Sequence, residues 1–338
     1  MERDSAHWKY TQRHACSPRG PLYVLLLAGV AVLLAAAPAA GTGTPGGEYD
    51  PGIAAMLAEI DESELRDTTY DLQNFSTRAY GTDGNREAGA YLSARFAAIP
   101  GLEVESMDGE SGNVVATLPR GGNASDGIVL VGAHYDSTST DLTRAPGATD
   151  NGCGVAIVLE LARVMSRHSF DRTVQFAFWN AEEVGRLGSI DYAADAAAPI
   201  ALYLNYDSSC YDPLNRSVLD IVYDERSAGV AALMADYNTL YGTNFALTEN
   251  IHSCTSDHIS FRERGYPAVT THSEEHGPAH TPDDTIDRVS LGYAKRNAQL
   301  GLSVLAEVAG YRDEGADAAI LKAPMVVWDL SGRLDGAD

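Results

Sequence analysis

Most of the residues able to do chemistry sit in five short runs, and several of these end an apolar stretch with an acid or an imidazole. In Ile-Val-Leu-Val-Gly-Ala-His134-Tyr-Asp136 the imidazole and the carboxylate stand two residues apart. An extended chain puts both on one face. His134 can then offer one ring nitrogen to a metal while Asp136 holds the other and fixes the tautomer. Taken alone, the pair reads more simply as a solvated strand end or a core hydrogen bond. Gly147-Ala-Thr-Asp150-Asn-Gly-Cys-Gly154 delivers a carboxylate just before a helical stretch. An N-cap would explain the acid. It would not explain so much glycine, which points to backbone crowding or unusual torsions beside a ligand.

The most specific run is Val-Gln-Phe-Ala-Phe-Trp-Asn180-Ala-Glu182-Glu183-Val-Gly. Two adjacent acids end an apolar strand, so their side chains diverge; one can bind metal while its neighbour handles a proton. The competing reading is a negatively charged lead into a helix near Ser189 to Ala198. Ala-Leu-Tyr-Leu-Asn205-Tyr-Asp207 and Glu275-His-Gly-Pro-Ala-His280-Thr-Pro-Asp-Asp-Thr285 complete the set. Each alone is unremarkable. In order, His134, Asp150, Glu183, Asp207 and His280 make the ligand set of a dinuclear zinc site, two terminal groups per ion and one bridging carboxylate.

These groups need a scaffold that collects strand ends. Apolar, β-branched runs at Val114 to Leu118, Ile128 to His134, Thr173 to Trp179, Leu202 to Tyr206, Val218 to Tyr223 and Ala268 to His272 predict strands. Helical spacing predicts helices over Ile53 to Leu72, Arg86 to Ala98, Gly154 to Arg167, Ser227 to Tyr241 and Ser290 to Ala309. Strands alternating with helices imply an α/β fold, a three-layer α/β/α sandwich on a mixed, mostly parallel sheet. In such sheets ligands bind beyond the carboxyl ends of the strands, where these acids and histidines fall.

Asp and Glu number 47 against 24 Lys and Arg, a net charge of −23, so polyanions are repelled and nucleic acid is excluded as a partner. Only three lysines occur, Lys9, Lys295 and Lys322. Adaptation to salt and an arginine-favouring genome account for that equally well. Arg3, Lys9, Arg13 and Arg19 precede an apolar run, Leu22 to Ala37, and then Pro38-Ala39-Ala40. The run is shorter than the roughly 18 apolar residues of a membrane span. Residues 1–40 are therefore expected to be a signal peptide, or else a membrane anchor, engaging the export machinery and placing the protein in a secreted or extracytoplasmic setting. Residues 41–52 read as a Gly/Pro linker, 53–312 as the catalytic domain and 313–338 as a tail. Of four cysteines, Cys16 would leave with the leader. Export allows one bridge among the rest, expected as Cys210 with Cys254 because both lie near site loops. Sequons at Asn74, Asn123 and Asn215 permit glycosylation.

From about Asp71 to Ala309 the chain resembles the two-zinc aminopeptidase family, metallopeptidase family twenty-eight. His134-Tyr-Asp136, Asp150-Asn-Gly, Ala181-Glu182-Glu183, Asn205-Tyr-Asp207, Ser256-Asp257-His258 and His280-Thr-Pro-Asp-Asp-Thr285 stand in family order, and Arg78-Ala-Tyr-Gly-Thr-Asp-Gly-Asn85 resembles its early loop. The resemblance implies that His134 and Asp207 hold one zinc, Glu183 and His280 the other, with Asp150 bridging and Glu182 as general base. It implies a cis peptide bond after Asp150, and as substrates peptides with a free N-terminus. Two departures stand out: Cys153 replaces a small residue, and His252-Ser-Cys-Thr255 lacks the tyrosine with which some relatives steady the oxyanion. A carboxypeptidase or dipeptidase, a glutaminyl cyclase-like enzyme, or a binding ectodomain without catalysis are the alternatives. The last would show broken ligands or a missing base, and the intact set speaks against it.

Overall fold

The structure, a computed structural model, describes residues 47–106, 112–119, 127–250 and 256–312. The proposed leader, the first half of the linker (41–46), Asn123, Cys254 and the 313–338 tail lie outside them. Three helices open the described chain: α1 (Pro51–Ala58), α2 (Glu62–Gln73) and α3 (Asp83–Ala97). The single helix expected over Ile53 to Leu72 is thus two. Asp61 stops it, because its side chain accepts the Ser63 amide as N-cap of α2 while its own amide bonds Glu160. The apolar spacing runs on across the break because Ile53, Met56, Leu57, Ile60, Leu65 and Leu72 all enter one core.

The remaining elements are β1 (Glu103–Ser106), β2 (Val114–Leu118), β3 (Ile128–His134), α4 (Cys153–Met165), β4 (Ser169–Phe170), β5 (Val174–Trp179), α5 (Leu187–Asp195), β6 (Ile200–Tyr206), β7 (Val218–Val222), α6 (Ala228–Leu240), β8 (Ala246–Asn250), α7 (His258–Arg262), β9 (Ala268–Ser273), α8 (Leu291–Ala309) and β10 (Tyr311–Arg312). Eight strands form one sheet in the order β1-β2-β5-β3-β6-β9-β7-β8, and β10 pairs with β4 apart from it. β5, β3, β6 and β9 run parallel, as do β7 and β8; β1, β2 and the β7–β9 pair are antiparallel. The sheet is mixed, with its parallel block in the middle.

β3 is buried along all seven residues, as a central strand covered on both faces must be. Val129, Val131 and Ala133 enter the larger core with residues of α2, α4 and α8. Leu130 faces the other way, into a smaller cluster with Trp179, Ala193 of α5, Tyr203 and Phe261 of α7. This is an α/β/α layering. The parallel strands end together, which brings His134, Asn180 and Asp207 to one edge. Among the described residues no helix is long and apolar enough to cross a membrane.

The expected Cys210 to Cys254 bridge is overturned: Cys210 pairs with Cys153. Cys153 opens α4 and packs against the end of β6, leaving 6.3 Å between the Cα atoms, inside the range a disulfide spans. Asn74 and Asn215 are exposed.

Candidate active site

His134 is the last residue of β3, 1 % exposed at its side chain. Its Nδ1 faces Asp136, 3.1 Å from the main-chain oxygen and 3.5 Å from Oδ1. Its Nε2 points to two carboxylates at once, Asp150 Oδ1 at 3.2 Å and Asp207 Oδ1 at 3.5 Å. One ring nitrogen carries at most one hydrogen, so this geometry suits a cation shared by the three groups better than a hydrogen bond.

Asp150 lies in a π-type turn, Ala148–Gly152, between β3 and α4. The helix that follows has Gly152 at its N-cap and no side-chain capping bond, so the capping reading of Asp150 fails. Its other oxygen, Oδ2, lies 3.1 Å from His280 Nε2. The same imidazole nitrogen lies 3.2 Å from Glu183 Oε2. Asp150 therefore stands between two groups of donors, His134 with Asp207 on one side and His280 with Glu183 on the other. Donor atoms of His134, Asp150 and Glu183 all fall within 4.8 Å of one another. Glu183 Oε1 is buried with no hydrogen-bond partner, as a ligand oxygen awaiting a cation would be. His280 is 53 % exposed at its side chain, so the centre opens on that side and is closed at His134.

The turn has the crowding its glycines foretold. Gly147 has φ +53°, and a Cβ there would meet Asp150 O at 2.6 Å; one on Gly154 would meet Asn151 Oδ1 at 2.3 Å. The Asp150–Asn151 peptide bond is cis.

Glu182 and Glu183 leave β5 through a turn in which Ala181 has φ 61° and Gly185 φ 121°. Asp136 sets this turn, its two carboxylate oxygens accepting the main-chain N–H groups of Glu182 (3.0 Å) and Glu183 (3.1 Å). The acids are not a helix lead-in, since the first turn of α5 contains none. Glu183 turns to His280, whereas the part-buried Glu182 carboxyl lies within reach of the charges on His134, Asp257, Asp207 and Glu183.

Electrostatics follow from packing carboxylates this closely. Burial, then the fields of Asp257, Asp207 and Glu183, raises Glu182 well above its ordinary value, against the pull of His134. Burial pushes Glu183 up to about 7, with Asp150 adding to it. Burial acts against the charged forms of His134, Asp150 and Asp207 as well. There the contacts among them prevail, so His134 is raised and both aspartates are lowered. Asp150 and Glu183 raise His280 to about 11. Protons on the imidazoles occupy positions a divalent cation would take.

Two supporting residues carried no assignment in the sequence. Asp284, 1 % exposed, accepts the Thr149 amide (2.8 Å), the Thr149 hydroxyl (2.7 Å) and the Asp150 amide (3.0 Å), and its carbonyl accepts the Ala148 amide. It thus ties the His280 loop to the turn that presents Asp150. Arg78, fully buried, donates to the carbonyls of Leu72, Tyr135, Pro146 and Gly147. Burial lowers its pKa to about 10, yet it stays charged, a cation beneath Asp136, Asp150, Glu183 and Asp284. Both lie in runs singled out above, but their partners are main-chain groups that leave no mark in a sequence.

Residues 113–305 match the model of peptidase family M28. A probable leucine aminopeptidase of Trichophyton verrucosum is 27% identical over 282 residues, covering 76% of this chain and 75% of that protein. A probable aminopeptidase of Saccharomyces cerevisiae is 27% identical, covering 75% of each. The Legionella pneumophila LapA aminopeptidase superposes with a TM-score of 0.69 at 20% identity, over 79% of this chain and 76% of that one. BSAP, a zinc aminopeptidase from Bacillus subtilis, gives a TM-score of 0.51 at 27% identity, over 59% of this chain and 50% of its own. With the family model spanning more than half the chain, and the acids and imidazoles gathered where the parallel strands end, this chain belongs to peptidase family M28 and is a peptide hydrolase.

Proposed function

We propose that the chain is an aminopeptidase working with two zinc ions, and that residues 53–312 form its catalytic domain. The observation that carries this reading is the Asp150 carboxylate, with one oxygen facing His134 and the other facing His280. His134 and Asp207 would hold one ion, His280 and Glu183 the other, and Asp150 both. Bound there, the pair would polarise the scissile carbonyl and lower the pKa of a shared water. Glu182 takes the proton from that water as it attacks and returns it to the leaving amine. The position of Glu182 next to Glu183, with Asp136 holding both main-chain N–H groups, supports that role. Asp136 acts through others, orienting His134 and fixing the turn that parts Glu182 from Glu183.

An acidic site suits the cationic α-amine of a peptide N-terminus. A carboxypeptidase would instead need a cation to receive a terminal carboxylate. Arg262 donates to the Ala268 carbonyl, at the start of β9 and away from the site edge, and Arg78 is committed to four carbonyls. Arg186, three residues past Glu183 with Nη1 buried and without a hydrogen-bond partner, is a cation available for that role, so the substrate test separates the two readings. Zinc in a BSAP relative and aminopeptidase activity in the curated relatives' names support the same reading. Export is supported by the basic lead with its apolar run and by a disulfide, since such bonds persist in oxidising compartments. The test is hydrolysis of aminoacyl-arylamides beside their N-acetylated counterparts: cleavage of the free amines alone supports the proposal. Cleavage that instead requires a free carboxylate overturns it in favour of a carboxypeptidase.

A further inference from the structure

The Cys153–Cys210 bond joins the two loops that carry the carboxylates flanking His134. Cys153 stands three residues after Asp150 and Cys210 three after Asp207. Both cysteines are fully buried. A second link runs alongside, for the Asn151 amide group donates to Tyr206 O at 2.8 Å. Behind Cys210, its carbonyl accepts the Ser290 amide at the head of α8, so that end of the bridge is anchored to a long helix. The bridged α4 is itself buried along nearly its whole length. The cross-link therefore runs between two anchored segments, three residues along the chain from each carboxylate.

Asp150 and Asp207 carry like charges and both lie close to one imidazole nitrogen, at 3.2 and 3.5 Å. Repulsion between the two carboxylates favours spreading of the loops, which the Asp284 and Asn151 hydrogen bonds already oppose non-covalently. A covalent tie a few residues behind both carboxylates opposes that spreading without occupying the site itself.

Resting on the zinc reading above, we propose that the Cys153–Cys210 disulfide is a positioning device for the metal centre, holding Asp150 and Asp207 at the separation that a cation shared with His134 requires. It touches no substrate and supplies no ligand; it sets the affinity of the centre by limiting how far two of its ligands can part. A cross-link that merely stabilised the fold would raise the melting temperature and leave zinc affinity unchanged at temperatures far below melting.

The experiment compares zinc dissociation constants, by competition with a chromophoric chelator, for the wild type, the double variant Cys153→Ala/Cys210→Ala and the volume-conserving Cys153→Ala/Cys210→Val. Removing both sulfurs also prevents Cys210 from pairing with Cys254. The expected result is zinc binding weakened about tenfold or more in whichever variants fold, with kcat/KM restored toward wild type at saturating zinc. The visible spectrum of the cobalt-substituted variant should broaden as the ligand geometry loosens. Zinc affinity within twofold of wild type in a folded variant, whatever its melting temperature, overturns the proposal. A wild type that binds no zinc would instead remove the reading beneath it.

Discussion

Replacing Asp284 by asparagine removes a single charge from a residue that touches no proposed ligand side chain, and the structure gives the size of the effect. Oδ1 accepts the Thr149 amide and hydroxyl, and Oδ2 accepts the Asp150 amide at 3.0 Å. An asparagine can keep the Oδ1 bonds, but its NH2 group then faces the Asp150 N–H, donor against donor. Hydrogen bonds to charged groups contribute about 1.5–3 kcal/mol each, and a buried donor left without a partner adds a desolvation cost. Relief of repulsion between Asp284 and Asp150 offsets part of this, since burial and the Asp150 charge both raise the Asp284 carboxyl. A net loss of about 2–3 kcal/mol at the Asp150 turn corresponds to zinc binding weaker by about thirty- to a hundred-and-fiftyfold. Chelator competition on Asp284→Asn measures it, with circular dichroism checking the fold. The carbonyl of residue 284 still accepts the Ala148 amide, so the loop keeps its path. Unchanged zinc affinity in the variant would refute a role for Asp284 in holding Asp150, the proposed bridging carboxylate, in place.

Glu182→Gln should retain full zinc content and lose on the order of a hundredfold or more in kcat, read by single-turnover kinetics beside metal analysis. Arg78→Leu strips a donor from four buried carbonyls, of which Leu72 and Gly147 keep a main-chain N–H while Tyr135 and Pro146 lose their side-chain donor, and should cost about 3 kcal/mol, seen as a lower urea midpoint of the metal-free protein. Asp257 governs a pH dependence. Burial pushes its carboxyl up to about 7, above the unfolded value of 3.8, so the unfolded chain releases the proton first as pH rises. Its contribution is fully present below pH 3.8 and falls away toward pH 7, by up to about 1.4 kcal/mol per unit. Urea titrations of the metal-free protein between pH 4 and 7 should show Asp257→Asn gaining on the wild type as pH rises, and parallel curves would contradict this.

The centre of the fold was legible because β3, β5 and β6 are buried on both faces and leave near-continuous apolar runs. The edges were not. β1 (Glu-Val-Glu-Ser) and β8 (Ala-Leu-Thr-Glu-Asn) border solvent and carry little apolar pattern, so main-chain pairing alone identifies them. Helical periodicity ran through the α1–α2 break because both helices serve one core, and only the capping chemistry of Asp61 marks the interruption. The proposed ligands could be found because each side chain has a diagnostic type at a strand end or turn. Asp284 and Arg78 could not, since they act on amides and carbonyls that every residue possesses. Cys210 was read as bridged, but proximity to the site in sequence picked Cys254 over Cys153; the packing of α4 against the end of β6 decides the partner.

The two-zinc reading is tested most directly by the metal dependence of aminoacyl-arylamide turnover, measured with metal content on one preparation of residues 41–338. It predicts two zinc ions per chain, loss of free-amine cleavage on chelation, and recovery as zinc is restored to two equivalents. Full activity in the chelated protein, or maximal recovery at a single equivalent with no second ion taken up, would contradict it.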